Sequence, residues 1–103
     1  MNSFTLAGNV GSISIRKPTA DKTIAQVNLA TNRSFKRGDD WVEETDWHRL
    51  TFFDRLAERV EKYVQKGDFL VVQGEIRQRT YDHEGETRYS TDLVVRQYQR
   101  VST

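Results

Sequence analysis

The chain has 103 residues, enough for one compact domain with a single hydrophobic core and too few for two. Its 36% hydrophobic and 30% charged residues exclude a chain that is disordered throughout. No segment approaches the roughly 18 apolar residues that cross a bilayer, and the N-terminus lacks the features of a secretion signal. We therefore expect a soluble, cytoplasmic protein. Cysteine is absent, which excludes disulfides, thiolate zinc sites and a cysteine nucleophile.

The charges nearly balance in number but not in position. Sixteen basic and 15 acidic residues give a net charge of +1. Six of the basic residues and only one acid lie within residues 1–38, whereas residues 39–46 contain five acids and no base. If the two segments occupy different faces, a positive surface coexists with a neutral total.

Short segments rich in Val, Ile, Thr, Phe and Tyr, separated by glycines, predict an all-β chain with one helix. The predicted strands, in chain order, are 4–15 (with a break near residues 8–11), 23–31, 45–53, 69–81 and 88–98. Residues 35–44 are predicted as a loop. Apolar residues recur at helical spacing within 54–67, with Asp54 as the expected N-cap and Gly67 as the expected left-handed residue at the end.

Three strands, a helix and two strands in about a hundred residues indicate a five-stranded Greek-key OB-fold barrel. In this fold the helix lies between strands 3 and 4 and closes one end of the barrel. An SH3-like barrel would lack that helix. We expect residues 1–103 to form one such domain.

The third strand carries large side chains on both of its faces. Strand alternation places Trp47, Arg49, Thr51 and Phe53 on one face and His48, Leu50 and Phe52 on the other. The second set makes the better core, so the two aromatics and the arginine of the first set are expected to face outward.

The same combination of aromatic and basic side chains recurs elsewhere. On strand 4, Leu70, Val72, Gly74 and Ile76 share the predicted core face, while Arg77, Arg79 and Tyr81 share the opposite one. The loop before strand 3 adds Arg33, Phe35, Lys36, Arg37 and Trp41. Bases of a single strand stack on such rings while cations meet phosphates, whereas duplex DNA hides its base faces. Ordinary packing or a subunit interface is the alternative reading of the aromatics.

Several segments together resemble the bacterial-type single-stranded DNA-binding protein family. They are 6–11 (LAGNVG), 27–31 (VNLAT), 44–53 (ETDWHRLTFF), 56–58 (LAE), 63–67 (YVQKG) and 71–81 (VVQGEIRQRTY), and they extend over nearly the whole chain.

The resemblance implies an OB-fold homotetramer that binds single-stranded DNA without sequence preference in replication, recombination and repair, in the nucleoid-associated cytoplasm. It implies no catalysis and no cofactor. By position, the base-stacking residues would be Phe35, Trp47, Phe53 and Tyr81. The phosphate-contacting residues would be Arg49, Arg55, Lys66, Arg77 and Arg79, and His48 would contact another subunit. Replication or repair proteins are potential partners, although the family's usual recruiting tail with an acidic tip does not follow Thr103.

Other functions have weaker support. His48 and His83 lie on different elements and have no thiol beside them, and the acidic run matches no calcium loop, so no metal site is expected. No nucleophile elbow or phosphate-binding glycine loop is present, which argues against an enzyme. Two alternatives remain open. One is a primosomal replication-restart protein of the same fold, and the other is a protein interaction module that uses Trp47, Phe53 and Tyr81 as a hot spot.

Overall fold

The computed structural model describes residues 1–101. The elements, in chain order, are β1 (Phe4–Thr19), β2 (Lys22–Arg37), β3 (Asp40–Phe53), α1 (Asp54–Tyr63), β4 (Phe69–His83) and β5 (Glu86–Val101). The strands form a closed barrel in the order β1-β2-β3-β5-β4. This confirms the predicted five-stranded barrel with one helix between the third and fourth strands.

Barrel closure depends on one short parallel contact. All neighbouring strands are antiparallel except β3 and β5, which pair only at Leu50 with Leu93 and at Thr51 with Val94. Beyond the barrel, β2 and β3 remain paired as far as Arg37 and Asp40. The β4–β5 pairing likewise continues to the hairpin turn. Two long two-stranded hairpins therefore project from the barrel.

The core consists of aliphatic side chains from all five strands and the helix, with Phe52 as its largest fully buried residue. Tyr98 packs edge-on against the Phe52 ring, with centroids 5.6 Å apart. From the helix, Ala57 and Val60 are completely buried. Because apolar burial drives folding, this cluster fixes the inward face of β3 and leaves the alternate residues facing outward.

The predicted ends of the helix are wrong. Phe53 occupies the N-cap position with an extended backbone and no side-chain cap, while Asp54 has a φ of 53° and begins the helix. The helix ends at Tyr63, and the extended residue Val64 donates its N–H to the carbonyl of Val60 at 3.0 Å. Gly67 does adopt a positive φ, but in the following turn, where its N–H bonds to the Val10 carbonyl of β1 at 2.8 Å.

Three further sequence predictions need correction. Residues 35–44 are not a loop, because all but the turn at Gly38 and Asp39 continue the β2–β3 ladder. Thr51 is buried rather than outward-exposed, since its strand pairs there with β5. Ile76 is 39% exposed rather than in the core, because β4 no longer pairs with β1 beyond Gly74 and continues into the hairpin with β5. Within residues 1–101, no helix is both long and apolar enough to cross a membrane.

Candidate nucleic-acid interface

Trp47 lies on the outward face of β3 with 61% of its surface exposed. Its ring rests against Gly11 of β1, where an added Cβ would come within 2.6 Å of the indole Cη2. Gly11 is the extra residue of a β-bulge, since the β1–β2 register jumps from Val10–Leu29 to Ser12–Asn28. A residue without a side chain at the bulge therefore supports the indole from below and leaves its other side open.

Phe53 borders a small cleft of about 160 Å³ on the same outward face. The other residues that line this cleft are Arg16, Ile24, Gln26, Thr51, Arg79 and Asp92. They belong to all five strands, which are brought together by the barrel. Arg16 and Gln26 were missed by the sequence analysis because only the pairing of β1 with β2 places Arg16 opposite Ile24, the cross-strand partner of Phe53.

Arg49 lies between Trp47 and Phe53 on this face, and its guanidinium donates to Oε1 of Gln26. Next along the surface, the side-chain amide of Asn28 donates a hydrogen bond to the Ser12 hydroxyl at 2.8 Å. Arg49 has no carboxylate partner within the described residues. A charge next to an exposed indole is therefore available to an anionic ligand.

The β2–β3 hairpin holds Arg33 between two carboxylates. Its guanidinium contacts Oε2 of Glu44 at 2.5 Å and Oδ2 of Asp46 at 3.0 Å. The same group lies 5.8 Å from the ring centroid of the half-buried Phe35. Two of the five acids in residues 39–46 thus serve as partners for an arginine.

The tip of this hairpin is open. Trp41 is 71% exposed and is the cross-strand partner of Lys36. Neither Lys36 nor Arg37 forms an ion pair with a described residue. The tip therefore presents an aromatic ring together with two unpaired cations.

The β4–β5 hairpin carries Arg77, Arg79 and the exposed Tyr81 on one face. Arg77 contacts Glu75 at 2.7 Å, and Arg79 contacts Asp92 at 2.6 Å. Glu75 also accepts from Arg96, and these hydrogen bonds from Arg96 and Arg77 hold the pKa of the Glu75 carboxyl below its usual value. Both arginines of the candidate interface on this hairpin are thus bound to carboxylates.

The remaining candidates lie apart from the cleft at Phe53. Arg55 is in the first turn of the helix and lines a separate groove, and Lys66 lies in the turn after the helix. His48 is half-buried, and its Nε2 is hydrogen-bonded to the Thr31 hydroxyl at 2.8 Å. The structure therefore groups Trp47, Arg49 and Phe53 on the barrel, and Arg79 of the β4–β5 hairpin also lines the cleft there. The hairpins and the helix carry the others.

Comparison with known proteins gives a family and a fold. A sequence model described as the single-strand binding protein family matches residues 1–101. The chain is similar to an SSB from Plasmodium falciparum solved in complex with ssDNA, with a TM-score of 0.84, 24% identity, and coverage of 99% of this chain and 96% of that one.

Two further structures share the fold. A deletion mutant of the single-stranded DNA-binding protein from Thermus aquaticus gives a TM-score of 0.84 at 21% identity, covering 99% of this chain and 51% of that one. A small single-stranded DNA-binding protein from Streptomyces coelicolor gives 0.71 at 24% identity, covering 96% and 93%.

Proposed function

The chain belongs to the single-strand binding protein family, and from this membership we propose that it binds single-stranded DNA without sequence preference. The P. falciparum SSB of the same fold was solved with ssDNA, which supports this ligand. The observation that carries the proposal is the exposed indole of Trp47, supported by Gly11 and followed two residues later by Arg49. A flat ring beside a guanidinium suits an unstacked base and its phosphate.

In the proposed mechanism, bases stack on Trp47, Phe53, Tyr81 and Phe35, while arginines and lysines contact phosphates. Stacking contributes roughly 1–3 kcal/mol per base and is indifferent to sequence because every base has a π-face. Trp41 at the hairpin tip offers a further ring. The cations proposed to contact phosphate are Arg33, Lys36, Arg37, Arg49, Arg55, Lys66, Arg77 and Arg79.

The biological role proposed with this activity is protection of single strands during replication, recombination and repair in the nucleoid-associated cytoplasm, without catalysis. We propose that residues 1–103 form one DNA-binding domain and that four copies assemble, with His48 near a subunit contact. Light scattering tests the assembly: a mass of four chains is expected, and a mass of two would favour the dimeric replication-restart alternative.

Trp47 emission tests the DNA-binding proposal directly. In a Trp41→Phe background only Trp47 emits, and titration with oligo-dT at low salt should quench it because bases stack on the indole. Replacing Trp47→Ala in the wild-type chain should weaken binding by about 1–3 kcal/mol, measured by anisotropy of a labelled oligo-dT.

The matched control is Tyr89→Ala, which removes an exposed ring that faces away from Tyr81 on the same hairpin. Its oligo-dT affinity should remain at the wild-type value. A Trp41→Phe chain whose Trp47 emission is unchanged by oligo-dT at low salt would refute the proposal.

A further inference from the structure

The cations of the described residues differ in whether a carboxylate already binds them. Arg33, Arg77 and Arg79 are bound by carboxylates, whereas Arg49 and the two cations at the tip of the β2–β3 hairpin are not. On the helix, Arg55, Arg59 and Lys62 form no ion pair with any residue in 1–101. The helix therefore carries a set of cations whose charge is not already neutralised by the protein.

These three cations share one groove. It has a volume of about 550 Å³ and is lined by Arg55, Glu58, Arg59, Lys62 and Tyr63. The basic residues are four and three positions apart, so they follow one side of the helix over about 10 Å. The groove therefore presents a row of three cations, interrupted by a single carboxylate.

An aromatic ring ends the row. Tyr63 is 52% exposed, and the Lys62 ammonium lies 5.3 Å from its ring centroid. Arg100 of β5 donates to the backbone carbonyl of Tyr63 at 3.3 Å, which ties the end of the helix to the barrel. The last turn is thus anchored, and Lys62 is held near an apolar ring instead of near an acid.

The groove is separate from the cleft at Phe53, but the helix that carries it begins directly after that residue. Arg55 follows the exposed Phe53 by two residues in sequence. A single-stranded DNA with a base stacked on Phe53 would therefore have only a short distance to cover to reach the helix. A row of unpaired guanidinium and ammonium groups attracts a chain of phosphates. We propose that the groove of Arg55, Arg59, Lys62 and Tyr63 binds the sugar–phosphate backbone of the single strand as it leaves Phe53. This inference rests on the proposed function and adds Arg59, Lys62 and Tyr63 to the binding surface.

The salt dependence of binding tests the groove. The double variant Arg59→Gln/Lys62→Gln should lower the slope of log Kobs against log[salt] for a long oligo-dT by about 1.4, since each lost phosphate contact removes about 0.7. Trp47 quenching at saturation should persist, because the barrel face is unchanged. Both positions are exposed, and circular dichroism with a urea midpoint verifies the fold.

Two further variants make the result specific. Lys22→Gln removes a charge from β2 that is outside the groove and has no ion pair in residues 1–101, and it should leave the slope close to the wild-type value. Glu58→Gln removes the carboxylate inside the groove and should raise oligo-dT affinity.

A slope unchanged in Arg59→Gln/Lys62→Gln, or lowered by about 0.7 in the Lys22→Gln control, would overturn the inference while the Trp47 quench still upheld DNA binding. A second outcome would also overturn the inference. If Arg59→Gln/Lys62→Gln lost binding to a poly-glutamate peptide while its salt slope for oligo-dT stayed unchanged, the groove would be assigned to an acidic protein segment. If Trp47 shows no quench in the Trp41→Phe background, the proposed function itself fails.

Discussion

The indole of Trp47 lies against the bulge residue Gly11 and occupies the space that a side chain at position 11 would fill. A Cβ at Gly11 would overlap the six-membered ring of the indole. The bulge also shifts the register of β1 against β2, so that Ser12 rather than Gly11 pairs with Asn28. Gly11 lies on β1, which does not pair with β3. The absence of a side chain at Gly11 nevertheless sets the position of the exposed Trp47 ring.

Replacing Gly11→Ala is expected to displace Trp47 without unfolding the barrel, because the overlapping atoms belong to an exposed side chain. In the Trp41→Phe background the Trp47 emission spectrum should shift. Affinity for oligo-dT should fall by up to about 1–3 kcal/mol, the value of one stacked base. Ser14→Ala, an exposed change on the same strand, serves as the control. An unaltered spectrum together with unaltered affinity would show that Gly11 does not position the ring.

The carboxylates around Arg33 should compete with DNA for its guanidinium. Glu44→Gln/Asp46→Asn removes both partners, so Arg33 becomes free to contact a phosphate. The affinity for oligo-dT should rise, and the salt slope should steepen by about 0.7. Fold stability should change little, since exposed ion pairs contribute roughly 0–1 kcal/mol.

The control for this prediction is Asp39→Asn/Glu43→Gln, which removes two negative charges from the same hairpin but breaks no ion pair with Arg33. An equal gain in the control variant would mean that net charge, not the release of Arg33, is responsible.

Much of the fold follows from strand alternation and from one helical repeat. Leu50 and Phe52 are fully buried and Trp47 and Phe53 are exposed, as the alternation of β3 predicts. The hairpins were harder to predict, because residues 35–44 are mostly polar and their few apolar side chains do not alternate regularly. Their strand structure comes from cross-strand pairing, which a single sequence does not display.

The partners of the charged residues could not be predicted at all. Arg33 and Glu44 are eleven residues apart in sequence, and Arg79 and Asp92 are thirteen apart. Each pair meets only because a particular register aligns two strands. The place of Arg16 beside Phe53 likewise depends on the path of β1, which shifts register at the Gly11 bulge. Local sequence therefore predicted that Trp47 and Phe53 face outward but not which residues meet.

Acid should weaken the β4–β5 region through Glu75. Hydrogen bonds from Arg96 and Arg77 lower the pKa of Glu75, so the folded state favours the carboxylate more than the unfolded state does. Its contribution to stability is present at neutral pH and is lost as pH falls through the lowered pKa. Glu75→Gln should therefore lower Tm at neutral pH and make Tm less dependent on acid, as followed by circular dichroism. Glu43→Gln is the control, and a parallel acid dependence in wild type and Glu75→Gln would contradict the assignment.

Two glycines should be needed for barrel closure rather than for DNA contact. A Cβ at Gly8 would overlap the carbonyl oxygen of Ala30 on β2, and a Cβ at Gly74 would overlap the carbonyl of Val94 on β5. Both obstacles are backbone atoms of paired strands, which cannot turn aside as a side chain can. Gly8→Ala and Gly74→Ala should each lower the free energy of unfolding by about 1–3 kcal/mol or more in urea titrations. Gly11→Ala should cost clearly less, because its obstacle is an indole that can move. Equal losses at all three glycines would mean that Trp47 is as rigid as the barrel backbone.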